Sequence, residues 1–236
     1  MQAGMPHSPS GIMANHAYNL TPHVMDRDEI KWLVEEYIFS IGEVAAAGLD
    51  GAELHANHED ILQLFLSPHT NRRNDEYGGD RTNRIRIIAE IVAGARARMT
   101  TPFTIGVRLN MDELFEGGYD LAEGVEIARA LEATGHIDYI HCVMGNNWGA
   151  PSYIQPHDYG VAQWSELAGH FKRALKIPVV YTGRVTDPVA ANRLIAAGHA
   201  DVVGMARAMF ADAEVMSKAR SGRVEDIRPC IGTNDC

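Results

Sequence analysis

The stretch G-A-E-L-H-A-N-H-E-D-I-L-Q-L-F-L-S-P-H-T-N-R-R-N-D-E-Y-G-G-D-R-T-N-R, residues 51–84, decides how this chain reads. It opens as a short strand, Ala52–His55, and delivers two histidines, His55 and His58, at the strand's end. Side chains alternate along a strand, so Glu53 and His55 share one face while Ala52 and Leu54 share the other. A long loop rich in turn-forming residues follows. A strand that ends in polar groups and then a long loop suits a parallel α/β architecture, whose site lies where the strands end.

Working outward, residues 1–23 are rich in Pro, Gly, His, Asn and Ser and read as loop. From Asp26 to Ala47, apolar residues such as Ile30, Val34, Ile38 and Ile41 recur at helical spacing. Asp26 followed by Glu29 predicts a capping box, and Gly48 ends the helix. Beyond it, strands and helices alternate. The strands are Ala52–His55, Phe103–Leu109, Tyr139–Val143, Val179–Tyr181 and Val202–Gly204. The helices are Asn83–Met99, Leu121–Thr134, Ala162–Leu175, Pro188–Ala197 and Ala208–Ser221. Short buried strands alternating with helices predict a parallel sheet covered by helices. His55, Arg108, Arg184 and Arg207 all fall at or just past strand ends. That placement is the pattern of a (β/α)8 TIM barrel. Five strands are readable where a closed barrel has eight. A doubly wound open sheet is the alternative, and no G-x-G-x-x-G fingerprint supports it.

Bulk properties narrow the classes. The 236 residues suffice for one large domain, and 46% are hydrophobic, as in a globular core. The formal net charge of −10 repels phosphate backbones, so a nucleic-acid partner is not expected. No apolar run reaches the ~20 residues of a membrane span, and the first residues do not form a secretory signal. Three cysteines make no disulfide scaffold, so a cytoplasmic setting is expected.

Two strand ends carry phosphate-type turns. Val179–Tyr181 runs into Thr182-Gly183-Arg184, and Val202–Val203 runs into Gly204-Met205-Ala206-Arg207. The last two strands of a TIM barrel commonly end in a phosphate site. Glycines let backbone N–H groups approach the oxygens, and arginines add charge and paired hydrogen bonds. Ordinary turns with surface arginines are the competing reading. For His55 and His58 a zinc reading is disfavoured, because a helical zinc pair needs i, i+4 spacing and a glutamate base.

The run 51–84 closely resembles the flavin-site segment of the old yellow enzyme superfamily. T-I-G-V-R-L-N (104–110), P-V-V-Y-T-G-R-V-T-D-P (178–188), G-H-A-D-V-V-G-M-A-R-A-M-F-A-D (198–212) and D-I-R-P-C-I-G-T-N-D-C (226–236) resemble it in the same order. The branch looks like the trimethylamine dehydrogenase group, with N-methyl amine demethylases and dienoyl-CoA reductases. The resemblance implies FMN at the C-terminal face of the barrel, and the first three strands before residue 1. Residues 1–236 would then be a partial FMN-binding barrel of about five β/α units. It implies Arg108 beside the flavin pyrimidine, and His55 and His58 above the ring as the substrate-anion or carbonyl pair. It implies Gly183, Arg184, Gly204, Ala206 and Arg207 around the phosphate. A small-molecule substrate follows, NAD(P)H is an available reductant, and a homo-oligomer is compatible.

The chain also departs from the pattern. Ene-reductases of the superfamily carry a proton-donating tyrosine two residues after the second histidine, and Asp60 stands there instead. A carboxylate at neutral pH is a poor acid, so C=C reduction is disfavoured. Amine oxidation needs no such donor, and Glu59 and Asp60 would attract a cationic amine. A solvated helix start is the plainer role for that acidic pair. Trp148 resembles an aromatic residue of the substrate bowl, which would attract a methylated ammonium by cation–π contact. Loop packing is its alternative. C-I-G-T-N-D-C, within residues 228–236, resembles the start of a four-iron cluster motif. Cys230 and Cys236 fit the first and third ligands, but Thr233 stands where the second cysteine belongs. An incomplete or absent 4Fe-4S cluster is therefore expected. Cys142 reads as buried packing. The preferred reaction is oxidative N-demethylation or dehydrogenation of a small methylated amine or amino acid. Enoate or dienoyl-CoA reduction with NAD(P)H is the runner-up, and a non-catalytic phosphate-binding barrel is the alternative from another class.

Overall fold

The computed structural model describes residues 6–12, 21–146 and 151–234. Trp148 and Cys236 lie outside the described residues. Two short strands, β1 (His7–Ser8) and β2 (His23–Val24), pair in parallel where the sequence reads as loop. Two residues are too few for any periodicity to register. Helix α1 (Arg27–Ala46) begins as predicted. The Asp26 carboxylate accepts the N–H groups of Asp28 and Glu29 at 2.9 Å, and Glu29 Oε2 accepts the Asp26 N–H at 2.9 Å. Two orphan donors of the first turn are thereby satisfied. Ile30, Val34, Ile38 and Ile41 form its buried stripe. Gly48 ends it with φ +81°, a conformation that costs glycine nothing.

The main sheet has strands β3 (Gly51–Ala56), β4 (Thr104–Asn110), β5 (Tyr139–Val143), β6 (Val179–Thr182) and β7 (Val202–Gly204). All neighbours are parallel, and the order in the sheet is the order in the chain. Each predicted strand is found within a residue or two. Alternation separates two faces. Leu54, Ala56, Ile105, Val107, Leu109, Ile140, Cys142, Val179 and Tyr181 are buried on the helix-covered face. Glu53, His55, Arg108, His141 and Thr182 lie on the other, the inner face of a barrel wall. The intervening helices are α4 (Arg86–Arg98), α5 (Leu121–Ala133), α6 (Ser165–Ala174) and α7 (Pro188–Ala196). Two predicted helices are interrupted. The one expected over Asn83–Met99 is a short α3 (Arg81–Arg84) followed by α4. The one expected over Ala208–Ser221 is α8 (Ala206–Ala211) and α9 (Val215–Arg220). At the second break the buried Asp212 carboxylate accepts Glu214 N–H, Arg228 N–H and the Lys218 ammonium at 2.7–3.0 Å.

The loop after β3 contains a further helix, α2 (Ile61–Leu66). Five of its six residues are buried, so it carries no amphipathic signal. The rest of this segment is scaffolding. Asn71 Nδ2 donates to Phe65 O and Tyr77 O at 2.8 and 2.7 Å. Arg73 donates to Pro9 O and Met25 O and pairs with Asp75. The buried Arg84 spends its whole guanidinium on Leu66 O, Gly79 O and Glu123. These contacts fasten the loop to the segments before α1, to α2 and to α5. Among the described residues, no helix is long and apolar enough to cross a membrane.

Candidate active site

At the end of β3 the chain turns through two left-handed residues, His58 and Glu59, each with φ 56°. Non-glycine residues pay for that conformation, and such strain is concentrated at functional sites. The turn brings His55 and His58 together with ring centroids 5.4 Å apart, and His58 also meets Tyr153 at 4.8 Å. His55 Nε2 lies 2.9 Å from Asp60 Oδ2. Asp60 opens α2 without a capping hydrogen bond from its side chain. The carboxylate therefore stands at a solvated helix start, as the plainer reading expects, and pairs with His55 as well. Glu59 is buried, and its N–H donates to Gln63 Oε1 at 2.9 Å. Burial, helped by the nearby His55 and Arg108, pushes the His58 imidazole down to about 3. It is therefore a neutral ring, able to exchange a hydrogen bond but not to act as a cation.

Beside the histidines a polar cluster runs across four strands, β3 to β6. Tyr139 Oη donates to Glu53 Oε2 at 3.0 Å, and His141 Nδ1 lies 2.8 Å from the same oxygen. His141 Nε2 reaches Thr182 Oγ1 at 2.8 Å. Arg108 Nε stands 4.0 Å from Glu53 Oε1. Burial alone would raise the Glu53 carboxyl; hydrogen bonds from His141 and Tyr139, with the Arg108 charge, outweigh it and hold the group below its usual range. Arg108 Nε is buried and has no hydrogen-bond partner among the described residues. Asn57, fully buried just past β3, likewise has neither amide atom satisfied there. Buried polar groups are nearly always paired, so these orphans suit a bound polar molecule. Sequence reasoning placed Arg108 but missed His141, Tyr139, Thr182 and Asn57. Period-two alternation on β5 could have found the first two.

The loops after β6 and β7 form one cleft. Arg184, Gly204, Ala206 and Arg207 line it, with Thr182, Cys230 and Gly232. Gly183 is beside it, not among its lining residues. A Cβ on Gly204 would collide with Thr182 Oγ1, so this strand end accepts no side chain. Arg184 has φ 48° and donates from Nε to Pro156 O and from Nη2 to His157 O. Arg207 Nη1 donates to Gln155 O at 2.7 Å and Asn234 Oδ1 at 2.6 Å. The two arginines thus hold the 155–157 segment while facing the cleft. Cys142 is fully buried on β5, as expected, and burial raises its thiol.

A third cluster supports the strand ends. Glu113, buried after β4, accepts Gln63 Nε2, Ser67 Oγ and Tyr119 N–H at 2.8–2.9 Å. Gln63 Oε1 in turn accepts Glu59 N–H and Asn110 Nδ2. The left-handed turn is therefore anchored through Gln63 to a buried carboxylate on a different loop.

A parallel wall with its polar groups gathered at one end, His55 beside Arg108 across neighbouring strands, and a Gly-Arg cleft two strands further on define an α/β-barrel wall with a strand-end site. The chain belongs to the NADH:flavin oxidoreductase / NADH oxidase family, whose model matches residues 2–226. It is 31% identical over 233 residues to an N,N-dimethylglycine/sarcosine dehydrogenase of Chromohalobacter salexigens, covering 97% of this chain and 33% of that protein. It is 34% identical over 213 residues to an NADH oxidase of Thermoanaerobacter brockii, covering 90% of this chain and 33% of that protein. Among solved structures, a 2-naphthoyl-CoA reductase superposes with a TM-score of 0.89 at 30% identity, over 98% of this chain and 35% of that one. The chain spans about a third of the length of each of these relatives. The fold is therefore part of a (β/α)8 barrel.

Proposed function

We propose that this chain is the flavin-binding portion of an FMN-dependent oxidoreductase acting on small methylated amines or amino acids. Gly183, Arg184, Gly204, Ala206 and Arg207 would hold the phosphate, and the unpartnered Arg108 Nε would face the ring. The orphaned Arg108 donor and the side-chain-free Gly204 turn are compatible with that cofactor. When bound, FMN supplies a two-electron acceptor for hydride.

The observation that carries the amine reading is the Asp60–His55 pair. In this reading the carboxylate stands at the sequence position where the resemblance to ene-reductases expects a proton-donating tyrosine. A carboxylate there attracts a cationic amine and lowers its energy near the site. His58, packed against the rings of His55 and Tyr153, adds aromatic surface beside the carboxylate. The dimethylglycine/sarcosine dehydrogenase relative agrees with this chemistry. The second reading, reduction of a conjugated thioester or enoate with NAD(P)H, is favoured by the likeness to a naphthoyl-CoA reductase.

Anaerobic mixing of the full-length, FMN-loaded protein with sarcosine, dimethylglycine, N-methylproline and dimethylamine separates the two. The amine reading expects flavin bleaching and release of formaldehyde or an imine-derived aldehyde. Rapid turnover of enones with NAD(P)H, and no bleaching by any amine, overturns it. We also expect no complete four-iron cluster, because Thr233 interrupts the cysteine spacing. An anaerobic assay for iron and acid-labile sulfide checks this; about four of each per chain would contradict it.

A further inference from the structure

Away from the strand-end site, β1, β2 and the first turn of α1 bring two imidazoles and a carboxylate together. The β1–β2 register sets His7 directly opposite His23. The hydrogen bonds His23 N–H to Pro6 O at 2.8 Å and Met25 N–H to Ser8 O at 3.1 Å fix that register. The two rings meet edge to face, with centroids 5.3 Å apart. His23 Nε2 stands 3.0 Å from Glu29 Oε1 and 2.8 Å from Oε2. Glu29 is itself held in place, because its Oε2 accepts the Asp26 N–H in the capping box. One ligand atom from each of His7, His23 and Glu29 lies within 4.8 Å of the others. None of the three takes part in the contacts of the strand-end site.

We propose that His7, His23 and Glu29 bind a divalent late first-row transition ion, represented by Zn2+. Two imidazole nitrogens and one carboxylate oxygen are a common zinc donor set, with a fourth position for water. Imidazole selects zinc-like ions over Mg2+ and Ca2+, which prefer all-oxygen shells. At ~2.0–2.1 Å from a tetrahedral ion, neighbouring ligand atoms stand about 3.3–3.4 Å apart. The His23–Glu29 contact must open by a few tenths of an ångström and His7 must move in, which side-chain rotation alone can supply. Side-chain exposures of 43% for His23 and 27% for Glu29 leave the ion a path from solvent. The net charge of −10 further favours cation capture. A bound ion would pin β1 and β2 to the start of α1, closing the stretch between residues 7 and 23. Arg73, which donates to Pro9 O and Met25 O, already spans the same gap without metal. The ion would therefore tighten a closed element and need not create one. In the simpler alternative, His23–Glu29 is an ordinary surface ion pair and His7 only stacks on it.

The test is titration of the chelator-stripped full chain with Zn2+ alone, by calorimetry and by competition with a chromophoric chelator. Co2+ in place of Zn2+ reports the ligands through its visible spectrum. The expected result is one ion bound at micromolar or lower dissociation constant, with a tetrahedral cobalt spectrum lacking thiolate charge transfer. His7→Ala and His23→Ala should each weaken binding by about tenfold to a hundredfold or more, since even outer-shell losses at metal sites cost that much. His23→Gln, which keeps a polar side chain, should do the same. Cys230→Ser should leave the zinc affinity unchanged. Equal zinc affinity in the wild type and both histidine variants overturns the proposal. So does loss of binding in Cys230→Ser, or no saturable binding by the wild type.

Discussion

Nε2 of His55 lies 2.9 Å from Oδ2 of Asp60, so the histidine that ends β3 is paired with the residue that opens α2. Both side chains are substantially exposed, at 40% and 62%, so the pair contributes less than about 1 kcal/mol to stability. Its consequence is directional. Asp60 holds the His55 ring toward the turn and adds negative charge at the mouth.

Replacing Asp60 should therefore change chemistry and leave stability almost untouched. Asp60→Asn should shift the urea midpoint hardly at all while slowing flavin bleaching by amines about tenfold, a loss of roughly 1.4 kcal/mol. Asp60→Tyr should raise alkene reduction above the wild-type level. Stopped-flow absorbance with amine and enone substrates measures both; an Asp60→Asn protein as fast as wild type contradicts the role.

His58 predicts a distinct acid response. Its folded-state pKa is about 3, against 6.5 for an ordinary histidine. Above the higher value neither state binds the proton. Between the two, the unfolded chain takes the proton and the folded chain does not, so stability falls as pH drops through that window. The slope for one proton is at most about 1.4 kcal/mol per pH unit. His58→Gln should flatten the decline between pH ~6.5 and ~4.5, above the range where most carboxylates titrate. Urea midpoints measured across that range, for both proteins, decide it; parallel curves would refute it.

Glu113→Gln looks conservative and should not behave so. All three of the carboxylate's partners are donors: Gln63 Nε2, Ser67 Oγ and Tyr119 N–H. A glutamine keeps the last two on its oxygen but turns an NH2 toward Gln63 Nε2. Gln63 cannot simply rotate, because its own oxygen serves Glu59 N–H and Asn110 Nδ2. One buried donor is left unmatched, at a cost of about 1–3 kcal/mol in equilibrium unfolding. Burial also raises the Glu113 carboxyl, so its contribution to stability declines as pH rises above the unfolded value. The glutamine variant should lose that part of the pH dependence. Urea unfolding at two pH values reads both effects.

Arg184 and Arg207 can be tested against two flavins. In the full-length protein, Arg184→Ala and Arg207→Ala should each weaken FMN by about 1–3 kcal/mol. Riboflavin, which has no phosphate, should lose much less. Both arginines also donate to carbonyls of residues 155–157. An equal loss for FMN and riboflavin would therefore assign them to loop support and remove the phosphate role.

The strands were legible because each is a short apolar or alternating stretch, set off from its neighbours by helical patterns and turn residues. The capping box of α1 was legible for the same local reason. Asp26 and Glu29 sit three residues apart before a periodic apolar stripe. What escaped was set by partners far along the chain. Nothing near Asp212 announces that its buried carboxylate will take the Lys218 ammonium and the Arg228 N–H at the break between α8 and α9. The start of α2 was legible at Glu59 and Asp60, but its extent was not, because nearly every residue in it is buried. His141 escaped for a different reason: its partners, Glu53 and Thr182, stand 88 and 41 residues away on other strands. The pairing of Asp60 with His55 lay within five residues, yet it depends on the left-handed His58 and Glu59, two conformations that no residue type there advertises.

Because β3 to β7 lie in the sheet in the order they are made, each strand as it leaves the ribosome meets a finished neighbour already waiting. No strand has to thread between two others, and each pairs with the one made just before it, so the segments to be closed stay local; the one between β3 and β4 carries α2, α3 and α4. Such a wall can grow by addition at its edge, one β/α unit at a time. The strand-end residues would become neighbours in sequence: His55 with Arg108, then His141, then Thr182. The site would thus be assembled in the direction of translation, and the Gly-Arg cleft would be the last part to form.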